Sequence, residues 1–537
     1  MTTAQAPSTS GLTHRQILTI LSGLLLGMFL ASLDQTIVST AMRTIADRLD
    51  GQTAQAWVTT AYLVTSTVST PLYGKLSDLY GRKPFYLFAI AVFLLGSVLC
   101  GQAHSIYELA AYRAIQGLGA GGLLSLAFAI IGDLVAPRER AKYQAYFTSV
   151  FATSSVLGPV AGGFFAGQTS LLGVDGWRWI FFLNLPLGVL AFFVVSRNLA
   201  LPRRRTERRI DYLGAALLTA TTIPLLLVAE KGHEWGWTSG LSLGLLAFSV
   251  VALLAFLPRE RAMGEDAILP LRIFRDRVFS VTVVVAFLVG MVMFGGLVLM
   301  PLYLQIVKGE TPTAAGLQMV AFMFGLMGSS LTVGRAMQRT GRYKIYPIFG
   351  TAIMFVGMLL FSTLSYDTPV SQAMAYMVVM GIGLGLTMQM LVIAVQNALP
   401  PEDMGLSTSS VTFFRSMGGT LGAAVSLGVL FGTVKGNITD RVAAAHLTLP
   451  DLVSLRNLSL DNTESFKKLS EPARRVVLSG FADSMDTVFL VVAAVVVPAF
   501  IGTFFIKEVP LRTQGGLASQ RSSECDGDLA MAETAVV

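Results

Sequence analysis

Charge is what this sequence has least of. Only 13% of its 537 residues are charged and 53% are hydrophobic, with a mean hydropathy of +0.65. A soluble chain carries roughly twice that share of charged residues, because it must cover its surface with them. The composition therefore excludes a soluble enzyme, a nucleic-acid-binding protein and a disordered chain.

Cysteine and histidine are also scarce. The two cysteines, Cys100 and Cys525, cannot form a disulfide framework, and neither they nor the four histidines show the spacing of a metal site. The chain also lacks a GxxxxGKS/T phosphate-binding loop and any catalytic constellation. We therefore expect no metal, no cofactor, no nucleic-acid partner and no enzymatic activity.

Long apolar runs fill most of the chain. Each is long enough for one membrane span, which needs about 20 apolar residues. The pattern predicts an all-α integral membrane protein with fourteen spans, at 17–40, 55–74, 84–101, 108–131, 143–167, 179–197, 211–229, 240–257, 279–300, 313–333, 346–364, 370–396, 406–432 and 485–506.

The basic residues predict the orientation of these spans. If both termini are cytoplasmic, the tail and loops on that side carry 22 Lys and Arg residues. The short loops on the other side carry five: Arg43, Arg48, Arg178, Lys231 and Lys308. Positive charge collects on the cytoplasmic side of membrane proteins, so this asymmetry indicates cytoplasmic termini.

Two loops repeat one pattern. The loop after span two reads Gly74-Lys-Leu-Ser-Asp78-Leu-Tyr-Gly81-Arg82-Lys83, and the loop after span ten again has glycines seven positions apart, Gly334 and Gly341, with Arg342 next. The offset of 260 residues is too long for six spans and fits six plus an inserted pair. Internal repeats of this kind are typical of secondary transporters.

The first of these loops resembles the loop signature of the major facilitator superfamily. The fourteen-span layout resembles the drug:proton antiporter branch, which has two extra central helices. Three further stretches are similar to that branch: Leu33-Asp34-Gln-Thr36, Leu109-Ala-Ala-Tyr-Arg113-Ala-Ile-Gln116-Gly117, and Trp177 to Gly188. The resemblance implies two six-helix bundles with a substrate site between them.

On this basis we divide the chain into five regions. We predict a disordered cytoplasmic N-terminus at 1–14, an N-terminal bundle at 15–200, an inserted helix pair with basic loops at 201–277, a C-terminal bundle at 278–506 and a disordered cytoplasmic tail at 507–537. The C-terminal bundle includes a long outside loop at 433–484.

Asp34 and Arg113 stand within apolar spans. A carboxylate in a low-dielectric cavity has its charged form disfavoured, which would let Asp34 exchange a proton near neutral pH. The resemblance implies that Asp34 couples proton to substrate movement and that Arg113 assists. The alternatives are an interfacial cap for Asp34 and an anchor to helix carbonyls for Arg113.

The resemblance also implies a cytoplasmic gate and an antiporter motif. In the gate, Asp78, Arg82 and Lys83, framed by Gly74 and Gly81, would form a charge network with Asp133 and with the start of span thirteen near Gly405. The alternative is plain topology-determining charge. In span five, Gly158, Pro159, Gly162 and Gly163 resemble the motif that implies export, and small residues let helices approach closely.

The substrate cavity is the least constrained prediction. We expect Asp34, Trp57, Tyr62, Gln116 and Arg415 to line it, although Trp57 also suits an interfacial belt and Arg415 a structural role. Sixteen of the 22 methionines lie between Met291 and Met417. Their flexible side chains suit a cavity for varied lipophilic ligands, and equally suit generic packing.

The resulting expectation is a monomeric, proton-driven exporter of lipophilic or cationic compounds in the bacterial cell membrane. It would work by alternating access between the two halves. A dedicated exporter of one endogenous product, such as an antibiotic, a siderophore or a lipid, is the alternative. A proton-coupled importer is a third hypothesis.

Overall fold

A computed structural model describes residues 14–50, 54–135, 137–199, 211–445 and 469–511. The described chain is almost entirely helical, with one two-stranded hairpin, β1 (Ser170–Leu171) and β2 (Val174–Asp175). The helices are α1 (His14–Arg48), α2 (Gln55–Tyr80), α3 (Arg82–Gly101), α4 (Ile106–Leu134), α5 (Pro137–Gly167), α6 (Trp179–Phe182), α7 (Asn184–Asn198), α8 (Tyr212–Trp235), α9 (Gly240–Met263), α10 (Arg277–Leu302), α11 (Pro312–Gln318), α12 (Val320–Thr340), α13 (Ile345–Phe361), α14 (Val370–Ala398), α15 (Met404–Ala444) and α16 (Glu471–Phe505).

Within the described residues, twelve helical segments are long and apolar enough to cross a membrane. The predicted spans at 55–74 and 346–364 also fall on helices, α2 and α13. However, α13 has only 17 residues, and α2 is rich in Ser and Thr. The count of fourteen spans therefore stays a prediction, whereas the all-α membrane architecture is confirmed.

The helices pack as two bundles with a helix pair beside them. Helices α1 to α7 enclose two adjoining apolar cores, and α10 to α16 enclose a third. The bundles meet along two seams, α2 against α15 and α5 against α12. The pair α8–α9 lies at the first seam, where α8 contacts both α2 and α15.

Helix α9 contributes a broad apolar surface to the outside of the protein. Its exposed side chains include Phe248, Val251 and Leu254. Exposed apolar residues in such number are unstable in water but suit the hydrocarbon of a bilayer. The inserted pair is therefore lipid-facing on one side and bound to the protein on the other.

Two predicted boundaries move in the structure. Helix α15 continues to Ala444 and α16 begins at Glu471, so both ends of the predicted loop at 433–484 are helical. The predicted tail at 507–537 begins later, because Asn397 donates to the carbonyls of Val509 and Pro510 at 3.2 Å. The predicted disordered stretches at 1–13 and 512–537 lie outside the described residues.

Glycines in α4 allow the tight packing of the first bundle. A Cβ added at Gly117 or Gly121 would collide with the backbone of α2, at the carbonyls of Tyr62 and Ser66. Small residues at helix interfaces have this effect in membrane proteins generally. The resulting close contact fixes α4 against α2, and so positions the side chains described next.

Candidate functional site

Asp34 lies at the centre of a buried polar network in the first bundle. Its side chain is fully buried. One carboxylate oxygen accepts from Gln116 Nε2 at 2.9 Å and from Asn184 Nδ2 at 2.7 Å, and the other accepts from Arg113 Nη1. Three donors from α4 and α7 therefore converge on this one side chain of α1.

Arg113 is the cationic partner in this network. Its side chain is 1% exposed, and its guanidinium carbon lies 4.0 Å from the centre of the Tyr62 ring. Nη1 also donates to Gln116 Oε1 at 2.8 Å, whereas Nε has no partner among the described residues. An arginine stays charged, so this pair places a permanent cation in the interior of the first bundle.

The structure removes both structural alternatives for this pair. Asp34 lies in the interior of α1, many residues from either end, and so does not cap that helix. The partners of Arg113 are the side chains of Asp34 and Gln116 rather than helix carbonyls. The two residues therefore form an ion pair that joins α1 to α4.

The gate residues meet at one end of the bundles, which we call the Asp78 end. Arg82 forms ion pairs with Asp78 at 2.5 Å and with Asp133 at 2.7 Å, and all three side chains are at most 10% exposed. Gly81 turns the chain from α2 into α3 with a φ of 99°, a conformation that other residues rarely adopt. Lys83 instead donates to the carbonyl of Ser196 at 2.6 Å.

Asp78 connects this cluster to the other bundle. Its two carboxylate oxygens accept from the backbone N–H groups of Gly405 at 3.1 Å and Leu406 at 2.8 Å. These groups open α15, where the helix dipole is positive. In the same turn, Ser407 and Thr408 donate their hydroxyl groups back to the carbonyl of Met404.

Close approach at this point depends on glycine. A Cβ added at Gly74 would lie 2.9 Å from the carbonyl oxygen of Gly405 and would overlap the side chain of Ser409. A Cβ added at Gly405 would lie 2.6 Å from the Asp78 carboxylate. We call Asp78, Arg82, Asp133 and the first turn of α15 the latch.

The second copy of the loop pattern differs from the first. Gln338 occupies the position of Asp78, and Arg342, which matches Arg82, is exposed. Gly341 again has a positive φ, 69°, but its ψ is 0°, whereas that of Gly81 is 150°. A glycine with positive φ is thus repeated in the second bundle, whereas the buried charge cluster is in the first.

The antiporter-motif residues lie on α5 and face α1. A Cβ added at Gly158 would overlap Thr36, and one at Gly162 would lie 2.8 Å from the carbonyl of Ile37. Pro159 instead approaches Gly316 of α11, in the second bundle. Gly163 has open space around it. Of the three motif glycines, two therefore hold α5 against the helix that carries Asp34.

The five predicted cavity residues do not form one cluster. Tyr62 and Gln116 join Asp34 in the buried network. Trp57 lies at the inserted pair, 6.0 Å from the ring of Trp235 and 5.5 Å from Nζ of Lys231. Arg415 lies in α15 of the second bundle. That these five residues line a substrate cavity stays a prediction.

The structure also shows polar contacts that sequence reasoning missed. Asn184 and Ser97 belong to the Asp34 network, joined by a 2.8 Å hydrogen bond. Between the bundles, Arg140 donates to Gln396 Oε1 at 2.5 Å, and Gln396 donates to the carbonyl of Phe128 at 3.2 Å. Each is a polar residue in or beside an apolar run, and that signal could have found Asn184 and Gln396.

Two bundles that meet along paired seams, with a latch at one end, are the architecture of a known family of transporters. Residues 24–423 match the family model described as Major Facilitator Superfamily. The chain belongs to the major facilitator superfamily. It is therefore a transporter rather than an enzyme, and a multi-pass protein of the cell membrane.

Relatives within the superfamily include named drug transporters. The chain is 31% identical over 513 residues to the multidrug transporter protein MdtP of Bacillus subtilis, covering 92% of this chain and 93% of that one. It is 36% identical over 493 residues to an uncharacterized MFS-type transporter of Mycobacterium tuberculosis, covering 92% and 70%.

A solved structure shares the fold. The proton:xylose symporter XylE superposes with a TM-score of 0.61 at 16% identity, over 94% of this chain and 99% of that one. At that identity the likeness concerns the fold alone.

Proposed function

We propose that this protein is a proton-driven exporter of lipophilic compounds that works by alternating access. The observation that carries the proposal is the buried Asp34–Arg113 ion pair, because α4 supplies Arg113 to this pair and Asp133 to the latch. Arg113 and Asp133 are 20 positions apart in α4, which is about 30 Å along a helix. One rigid element thus connects the proton-binding carboxylate to the contact between the bundles.

The proposed cycle begins with the latch closed, as in this structure. A proton from outside neutralises Asp34, so the carboxyl no longer needs the charge of Arg113. Its hydrogen bonds with Gln116 and Asn184 then rearrange, and α1 and α4 change their relative position. Movement of α4 withdraws Asp133 from Arg82, the latch opens to the cytoplasm, and the proton leaves as substrate binds.

A lipophilic substrate is supported by the second bundle. Its interior has an apolar, methionine-rich wall around a small cavity of about 10 Å³, close to the size of one water molecule. The lining residues come from α10, α13, α14 and the start of α12: Met293, Gly296, Met300, Met319, Phe322, Phe361, Met377 and Met380. Methionine side chains are flexible and polarisable, so they adapt to ligands of different shape. The relatives named as multidrug transporters agree with a substrate of this kind.

The test uses purified protein in liposomes with an imposed pH gradient. Substrate-stimulated proton movement should be lost in Asp34→Asn, because an amide cannot bind the proton, whereas substrate-for-substrate exchange without a gradient should persist. Asp50→Asn is the matched control, since Asp50 is exposed just beyond α1. Proton movement by Asp34→Asn equal to that of the control would refute the proposal.

A further inference from the structure

Arg415 is a buried cation without a counter-charge. It is 9% exposed. The other buried arginines have clear partners: Arg82 pairs with two carboxylates, Arg113 with Asp34, and Arg140 with Gln396 and backbone carbonyls. Among the described residues, none accepts an ion pair or a hydrogen bond from the Arg415 guanidinium.

The depth of Arg415 makes this isolation costly. It follows the start of α15 by 11 residues, which places it about 16 Å from that helix end. This is about half the thickness of the hydrocarbon core. A charge at this depth destabilises a membrane protein unless a cavity, a partner or a ligand compensates it. An arginine at this depth, without a partner among the described residues, therefore points to a ligand that supplies the missing charge.

The surroundings of Arg415 suit the rest of such a ligand. Its backbone carbonyl packs against Gly290 of α10, and it follows the aromatic pair Phe413 and Phe414, of which Phe413 is buried. The cation thus lies beside apolar helix surfaces, and the combination complements an amphipathic molecule.

Asp34 does not balance this positive charge. Both of its oxygens already accept hydrogen bonds, and its side chain is fully buried within the first bundle. A cationic ligand would therefore meet Arg415 without a free carboxylate from Asp34. An anionic ligand would relieve the uncompensated charge.

We infer that Arg415 binds the anionic group, a carboxylate or a sulfonate, of an amphipathic substrate. This inference rests on the proposed function and narrows its substrate class. A planar guanidinium can donate two parallel hydrogen bonds to such a group, which a lysine cannot do.

The charge of the substrate sets how many positive charges each transport cycle moves inward. Export of one monovalent anion in exchange for n protons moves n + 1 positive charges inward. A neutral substrate moves n, and a monovalent cation moves n − 1. An inside-negative potential should therefore accelerate anion export most, even when a single proton is exchanged.

The binding test uses two probes with one skeleton. 8-Anilinonaphthalene-1-sulfonate carries a sulfonate, and N-phenyl-1-naphthylamine lacks it. Each is titrated by fluorescence into nanodiscs that hold the full-length protein, with empty nanodiscs subtracted and no pH gradient. In Arg415→Met the Kd for the sulfonate should rise about tenfold or more, the effect of losing charge-assisted hydrogen bonds.

The neutral probe and a second variant serve as controls. In Arg415→Met the Kd of N-phenyl-1-naphthylamine should change less than about twofold, which also shows that the variant still binds the apolar part of the probe. Arg415→Lys should bind the sulfonate with an intermediate Kd. Equal losses for both probes, no loss for the sulfonate, or no binding of it by the wild type would each overturn the inference.

The outcome is separable from that of the proposed function. Asp34→Asn should still bind the sulfonate, since no proton is needed for binding. Arg415-dependent binding without proton-linked transport would refute the exporter and keep the binding site. Proton-linked transport together with sulfonate binding that is unchanged in Arg415→Met would refute the binding site and keep the exporter.

Discussion

Neutralising Asp78 should open the latch without affecting the rest of the fold. The Asp78 carboxylate accepts two backbone N–H groups of α15 and pairs with Arg82, all in a nearly dry environment. Asn keeps the shape but loses the charge, and its NH₂ group cannot accept from any of these donors. The two bonds to α15 join different bundles, so their loss weakens the closed state specifically.

The size of the effect follows from these contacts. Hydrogen bonds to a charged group contribute about 1.5–3 kcal/mol each. Loss of the two bonds to α15 should therefore cost the closed state about 3–5 kcal/mol, since Asn retains part of one of them. Every 1.4 kcal/mol changes an equilibrium about tenfold, so the closed fraction should fall by roughly 100-fold or more relative to the open one.

Accessibility of Ser409 measures this equilibrium. Ser409 is fully buried beside Gly74 in the closed latch. In a Cys525→Ser background, Ser409→Cys is labelled with a maleimide in inside-out vesicles; the remaining native thiol, Cys100, is buried. Labelling should be slow in the parent and at least about tenfold faster with Asp78→Asn, given the shift above.

Glu402→Gln provides the matched control. It removes one negative charge at the same end of α15, from an exposed residue. Labelling in this control should equal that of the parent. If Asp78→Asn labels no faster than Glu402→Gln, the latch does not hold the bundles together and the reasoning is refuted.

Two further predictions concern the packing and the tuning of the proton site. Gly158→Ala should lower the thermal midpoint and abolish transport, because the added methyl overlaps Thr36, whereas Gly163→Ala should match the parent, since it has open space. Equal midpoints for the two variants in a thermal-shift assay would contradict this. Asn184→Leu should slow substrate-stimulated proton movement in liposomes, because Asp34 loses one of the three donors that hold its carboxylate in place. Proton movement equal to that of the parent would show that Asn184 does not act on Asp34.

Much of the fold could be read from the sequence because the bilayer restricts what a chain can do. Apolar runs of span length must be helices, and buried charges must be few. Asp34 and Arg113 were identified by that scarcity, and the structure pairs them. The helix ends were less accurate, since α15 and α16 continue beyond the apolar runs from which the loop at 433–484 was drawn.

The contacts between the bundles could not be predicted in the same way. Nothing local to Gln396 or Arg140 indicates that residues 256 positions apart meet at 2.5 Å. Trp57 and Tyr62 are close in sequence, yet one contacts the inserted helix and the other Arg113. Such pairings depend on the rotation of each helix and on the close approach that glycines permit, which hydropathy does not report.

The inserted pair makes the two seams mechanically unequal. At the α2–α15 seam, α8 contacts both partners, and the chain after α9 is fastened to each bundle: Lys75 donates to the carbonyl of Glu265 at 2.6 Å, and Arg272 pairs with Asp403 at 2.8 Å. At the other seam, α5 is instead joined to the second bundle by direct hydrogen bonds, from Arg140 to Gln396 at 2.5 Å and from Gln389 to Thr148 at 2.8 Å. A rocking motion must therefore break direct side-chain bonds at one edge, whereas at the other it must also strain a separate pair of helices.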